Sequence, residues 1–212
     1  MNTRLIAESV KEAYLNTLNP IVELLIKFEL NPNWFTTASL ILGVGAGVSY
    51  GTGNIRWAGI LILLCGILDT LDGKVARATN RVTRFGALYD STLDRYAEVI
   101  AFFGLAFYFV NKNMLLVSVA ICAALAGSLM VSYVRARAEG LGFTCDIGMM
   151  QRAERLVLMG FSSLIHEWVL IVVIFIIAVF ANFTAFQRLY HVWVSENGGK
   201  KEKASQKKDL VD

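Results

Sequence analysis

Four carboxylates stand at short, fixed intervals in one part of the chain: Asp69 and Asp72 three residues apart, then Asp90 and Asp94 four apart. Either interval puts both side chains of a pair on one face of a helix. The first pair follows an apolar run, "WAGILILLCGI", and the second lies one turn before another, which begins after Glu98. A carboxylate at the centre of a bilayer costs about 2.5–3.5 kcal/mol on the insertion scale, less near the interface. Four together also repel. A shared divalent cation relieves both costs. All-oxygen ligands suit Mg2+ or Mn2+ rather than zinc, and such ions keep positions open for phosphate oxygens.

The neighbours of the carboxylates fit a phosphate ligand. Gly73 and Ala76 lie on or beside the aspartate face and let a large group approach the backbone. Gly86 offers the same on the following helix, and close helix–helix packing would use these small residues equally well. Arg77 lies one turn beyond Gly73, suitably placed for a phosphate. Further on, "SYVRARAEG" (132–140) and "QRAERLV" (151–157) bring Ser132, Arg135, Arg152 and Arg155 to the ends of two apolar runs. Arginines beside a metal site favour an anionic, phosphate-bearing substrate, whereas choline would call for an aromatic cage. Anchoring on the positive side of a membrane is the other reading of the same arginines.

These residues need long apolar elements to hold them. The chain has 212 residues, of which 56% are hydrophobic and 17% charged, with two prolines. The apolar runs are apolar on every face, which excludes an ordinary soluble domain. The three cysteines are scattered and form neither a disulfide framework nor a zinc spacing. The N-terminus lacks the apolar core and small-residue cleavage site of a signal peptide.

The expected fold is an all-α integral membrane protein with six transmembrane helices, near 34–53, 56–76, 85–111, 113–138, 150–165 and 167–190. The second reaches full length only by continuing through Asp69 and Asp72, and the fifth is short. Spans two and three are expected to be antiparallel about Arg81. Asp72 and Asp90 then lie nine residues either side of that centre, at matching depth. Arg77, Arg81 and Arg84, then Arg135, Arg137, Arg152 and Arg155, then the C-terminal lysines fall on one side of the alternation. Basic residues mark the cytoplasmic side, so both termini and the aspartates are expected there, in the cell membrane.

Residues 3–29 are expected as one amphipathic interfacial helix. Within this segment Asn19 then Pro20 suits an N-cap followed by a first helical position, and Ile21, Leu24, Leu25 and Phe28 give the apolar face. Pro32 ends it, and Asn33 is expected to cap the first span. Residues 1–195 form the membrane domain and 196–212 a disordered basic tail.

The spacing Asp69-x2-Asp72-Gly73-x2-Ala76-Arg77-x8-Gly86-x3-Asp90-x3-Asp94 resembles the signature of the CDP-alcohol phosphotransferase (phosphatidyltransferase) family at every position. The likeness covers the chain up to about residue 195. It implies transfer of a phosphatidyl group from CDP-diacylglycerol to an alcohol, with release of CMP. Asp69, Asp72, Asp90 and Asp94 would hold Mg2+ (or Mn2+), and Asp94 would also act as the general base. Asn33, Thr36, Gly73, Arg77 and Thr83 would bind the CDP-lipid. Helix capping and loop hydrogen bonding are the other uses of Asn33, Thr36 and Thr83. The likeness also implies a homodimer, and partners limited to the lipid substrates, the membrane and a small alcohol, with no nucleic acid.

The second half of the chain looks most like the phosphatidylinositol-phosphate synthase branch, which implies inositol 1-phosphate as acceptor, bound by Ser132, Arg135, Arg152 and Arg155. That branch often carries Lys where this chain has Arg135. Glycerol 3-phosphate, giving phosphatidylglycerol phosphate, is the alternative acceptor. A different class, a divalent-cation transporter, would need acidic residues across the whole bilayer, and only Glu98 continues the series. A prenyltransferase-like enzyme would leave Gly73, Arg77 and the Gly86-to-Asp94 spacing unexplained.

Overall fold

The computed structural model describes residues 8–28 and 31–209, and among them every regular element is a helix. In chain order these are α1 (Glu8–Thr17), α2 (Asn19–Lys27), α3 (Pro32–Gly51), α4 (Ile55–Ala78), α5 (Arg84–Asn111), α6 (Leu115–Gly140), α7 (Arg152–Ile165) and α8 (Glu167–Asp209).

The N-terminal segment is two helices rather than the one expected over 3–29. Leu18 separates them, and Asn19 is already helical instead of capping. Pro20 is the cause: it has no N–H for the Asn16 carbonyl, and its ring crowds that same carbonyl. Residues 3–7 and 29 lie outside the described residues. The apolar face also divides. Val22 is buried and Leu25 and Ile26 are partly buried toward α4, while Ile21, Leu24 and Phe28 stay exposed. Asn31, not Asn33, caps α3. Its side chain accepts the Asn33 N–H at 3.0 Å, and Pro32 is the first helical residue, where a missing N–H costs nothing.

Helices α3 to α8 close a ring. α3 packs on α4 and α5, α4 on α7, α7 on α8, α8 on α6, and α6 on α5. α4 and α5, consecutive in sequence, do not pack closely on each other, because α3 lies against both. Tyr50, Phe102, Leu105, Phe109, Ile121 and Ile174 fill the interior. At the end of the ring away from the aspartates, Tyr50 and Ser163 hydroxyls meet at 2.7 Å, and Lys112 and Tyr108 both donate to Glu167. The Glu167 hydrogen bond holds the Lys112 pKa above the ordinary lysine value.

Two of these helices are long and apolar enough to cross a membrane by length and composition: α6, and α8 over Glu167–Asn197. Composition therefore marks two spans where six were expected. The 14 residues of α7 rise about 21 Å, short of a hydrocarbon core of about 30 Å. α4 and α5 carry charge through several turns at the aspartate end. The helix α8 continues to Asp209, so residues 196–209, expected as a disordered tail, are helical. Their Lys, Glu, Ala and Gln content favours helix and extends a turn already nucleated.

The α3–α5 seam depends on glycine. A Cβ on Gly104 would lie 1.9 Å from the Gly47 carbonyl oxygen, so the two backbones touch where no side chain fits. Gly104→Ala is expected to lower the stability of the purified protein by about 1–3 kcal/mol, as overpacking does. Thermal unfolding in detergent checks this, with Gly140→Ala, which meets nothing within 4 Å, as the neutral control.

Candidate active site

The gap between α4 and α5 is where the carboxylates meet. Asp69, Asp72 and Asp90 each offer an oxygen, and the three oxygens lie within 4.8 Å of one another. Neighbouring α3 positions the two helices that carry them. Thr36 donates its hydroxyl hydrogen to Asp72 Oδ2 at 2.8 Å, and the hydroxyl of the next residue, Thr37, meets that of Tyr89 at 3.0 Å, beside Asp90. Asp90 Oδ1 is buried with no hydrogen-bond partner among the described residues. Three clustered carboxylates, one with an unsatisfied buried oxygen, fit a hard divalent cation such as Mg2+ or Mn2+.

Asp94 is not part of that group. It is almost fully buried, and its Oδ2 lies 2.6 Å from Arg152 Nη1. The same guanidinium nitrogen lies 2.8 Å from Asp69 Oδ2, so Arg152 of α7 ties a clustered carboxylate on α4 to Asp94 on α5. Asp94 was expected as both ligand and base; here it stands apart from the three and beside a cation.

A cavity of about 280 Å3 opens next to the carboxylates. Asn33, Thr36, Gly73, Arg77 and Thr83 all line it, together with Asp72 and Asp90. Thr83 is the N-cap of α5, its hydroxyl oxygen accepting the Gly86 N–H at 2.9 Å. A Cβ on Gly86 would lie 2.9 Å from that oxygen and 3.6 Å from Asn33 Oδ1, so only glycine fits without moving the cap. The Arg77 guanidinium lies over Gly73, 3.4 Å from where a Cβ would stand. A larger cavity, about 400 Å3, lies at the opposite end between Asn54, Trp57, Tyr108 and His166. Its one carboxylate, Glu167, is already paired with Lys112, so the chemistry belongs to the smaller cavity.

The four residues expected around an acceptor phosphate separate into different settings. Arg152 sits between Asp69 and Asp94. Arg155 is wholly buried, with Nε bonding Glu98 Oε1 at 2.8 Å and Nη1 bonding the Met150 carbonyl at 3.2 Å. Arg135 is half-exposed and pairs with Glu139 at 2.8 Å and Asp146 at 3.4 Å. Ser132 returns its hydrogen bond to the Ser128 carbonyl one turn back. Sequence reasoning missed Arg188, which is buried and donates to the carbonyls of Ile147 and Val131. A lone arginine within the apolar run of α8 was the available signal.

Comparison with known proteins gives the family. The family model for CDP-alcohol phosphatidyltransferase matches residues 29–186, which include the carboxylates, the cavity and α7. The chain belongs to that family. It is 36% identical over 196 residues to the archaetidylinositol phosphate synthase of Methanothermobacter thermautotrophicus, covering 87% of this chain and 96% of the relative. Among solved structures it resembles the phosphatidylinositol phosphate synthase PgsA1 of Mycobacterium tuberculosis with CDP-DAG bound. The TM-score is 0.75 at 28% identity, over 82% of this chain and 92% of that one. The manganese and citrate complex of the same synthase gives 0.73 at 28% identity, over 82% and 88%. The chain is thus a phosphatidyltransferase with a carboxylate group suited to Mg2+ or Mn2+, and the expectation from the eight-position spacing holds.

Proposed function

We propose that this enzyme transfers a phosphatidyl-type group from a CDP-linked lipid to inositol 1-phosphate, releasing CMP. The observation that carries the reading is the cavity of nucleotide-binding candidates beside three clustered carboxylates, one of which, Asp69, is tied to Asp94 through Arg152. The names of the relatives support the acceptor. When bound by Asp69, Asp72 and Asp90, the metal supplies charge neutralisation at the diphosphate.

The chain's own residues do the rest. Thr36 fixes the orientation of Asp72. Arg77, lying over Gly73, faces the diphosphate with a forked donor. Asp94 takes the proton of the acceptor hydroxyl as that oxygen attacks phosphorus and the bond to CMP breaks. Arg152 holds Asp94 at one oxygen and leaves the other for the hydroxyl. Arg135, Arg152, Arg155 and Ser132 are assigned to the acceptor phosphate. We place six spans in the cell membrane, with both termini and the site on the cytoplasmic side, following the alternation of basic residues. A homodimer completes the proposal.

The test is CMP release by the purified enzyme with Mg2+. CDP-diacylglycerol and its archaeal ether counterpart are offered with inositol 1-phosphate, glycerol 3-phosphate, serine or free inositol. The expected result is turnover with inositol 1-phosphate alone, abolished by EDTA and restored by excess Mg2+ or Mn2+. Turnover with glycerol 3-phosphate instead would replace the acceptor, and EDTA-resistant turnover would remove the metal from the scheme.

A further inference from the structure

Lys74 stands inside the signature, two residues after Asp72 and three before Arg77, yet it points away from the carboxylates. Its ammonium donates to the backbone carbonyl of Leu15 and to Asn19 Oδ1, the latter at 2.6 Å. Leu15 lies in the last turn of α1, its carbonyl also accepting the Leu18 N–H at 3.3 Å, and Asn19 opens α2. Lys74 therefore clasps the two helices across the break that Pro20 imposes. A cation is the favourable group at a helix C-terminus, and hydrogen bonds from charged donors are the stronger kind.

The clasp sits against a small apolar corner. Leu18 and Val22 pack on Leu71 and Val75 of α4, and Phe35 of α3 packs against the same group. Leu71, Lys74 and Val75 form one face of α4 toward the N-terminal helices, while Asp69, Asp72, Gly73 and Ala76 lie toward the cavity. Phe35 directly precedes Thr36, the hydrogen-bond donor to Asp72. Pro32 and Asn33, which open α3 just before Phe35, line the cavity. The seat of α1 and α2 is thus coupled to the nucleotide wall through Phe35.

We propose that Lys74 is a positioning residue for the CDP-lipid. It seats the N-terminal helix pair on α4 and thereby sets the α3 wall of the cavity, without touching substrate. This rests on the proposed use of the cavity for the CDP-lipid. Two readouts test it in full-length protein: kinetics with CDP-diacylglycerol, and hydrogen exchange of residues 13–27 compared with 84–111. Lys74→Met is expected to raise KM for CDP-diacylglycerol about five- to tenfold with kcat within about twofold, the loss of two charge-assisted hydrogen bonds being shared between the seat and the wall. Exchange should rise in 13–27 and not in 84–111. Lys74→Arg should restore both, and Asn19→Ala should show a smaller shift in the same direction. A general loss of folded enzyme would lower apparent kcat at unchanged KM and would overturn the proposal. Faster exchange with unchanged KM would overturn the coupling. If the wild type does not turn over CDP-diacylglycerol, the proposed function fails separately, and unchanged exchange in Lys74→Met then overturns the clasp itself.

Discussion

Asp94→Asn is expected to lower kcat for CMP release by about 10²–10⁴-fold, the usual contribution of a positioned general base, while CDP-diacylglycerol still binds. Asn keeps the size of Asp and can still accept from Arg152 through its amide oxygen. What it loses is the ability to take a proton. Asp94 is the carboxylate best separated from the metal-binding three, so its loss leaves Asp69, Asp72 and Asp90 in place. Asp72→Asn is the contrasting variant, because it weakens the carboxylate group itself and should reduce lipid binding as well as turnover. Stabilisation of each variant by CDP-diacylglycerol in thermal unfolding separates the two outcomes. Full activity in Asp94→Asn would mean that another group takes the proton. Lost lipid binding in that variant would move Asp94 from base to ligand.

The carboxylate pairs were legible because helix periodicity is a local rule: spacings of three and four place side chains on one face whatever the helix packs against. The helices were legible for a similar reason, and α3 to α7 begin and end within two residues of the expected positions. Partners were not legible. Matched depth about Arg81 put the two pairs at one level, and carboxylates of α4 and α5 do meet, but nothing in the sequence showed that α3 lies against both helices. Thr36 was read as a nucleotide contact and proves to hold Asp72, a bond between residues far apart in sequence. The three arginines among the four acceptor candidates shared charge and one end of the molecule, but sequence carries no signal for which arginine finds a buried carboxylate. Glu98 could have paired with Arg95 or Arg135 and takes Arg155. The N-terminal break is the opposite case. Pro20 announced it, and the reading as a single helix gave too little weight to the Asn16 carbonyl four residues before.

Glu98→Gln is expected to destabilise the enzyme by about 3–5 kcal/mol, because it leaves the Arg155 guanidinium buried without a counter-charge. Arg155 has no exposed surface, and its Nε and Nη2 both lie 2.8 Å from Glu98 Oε1. Thermal unfolding in detergent should show a fall of roughly 10 °C for a chain of this size. The pair joins α5 to α7 one turn beyond Asp94 and one turn beyond Arg152, so it also sets the register in which those two meet. Its hydrogen bonding is incomplete: Glu98 Oε2 is buried with no hydrogen-bond partner among the described residues, and Nη2 makes a charge contact without hydrogen-bond geometry. A pair that served stability alone would gain from satisfying those atoms or from being replaced by apolar side chains. The double variant Glu98→Leu with Arg155→Met therefore separates the two roles of Arg155. It is expected to recover most of the lost stability, since no charge remains buried. If it is stable but inactive, with KM for inositol 1-phosphate raised or turnover gone, Arg155 serves the acceptor as well as the fold. If it is both stable and fully active, Arg155 belongs to the scaffold, and the acceptor phosphate must be held by Arg152, Arg135 and their neighbours without it.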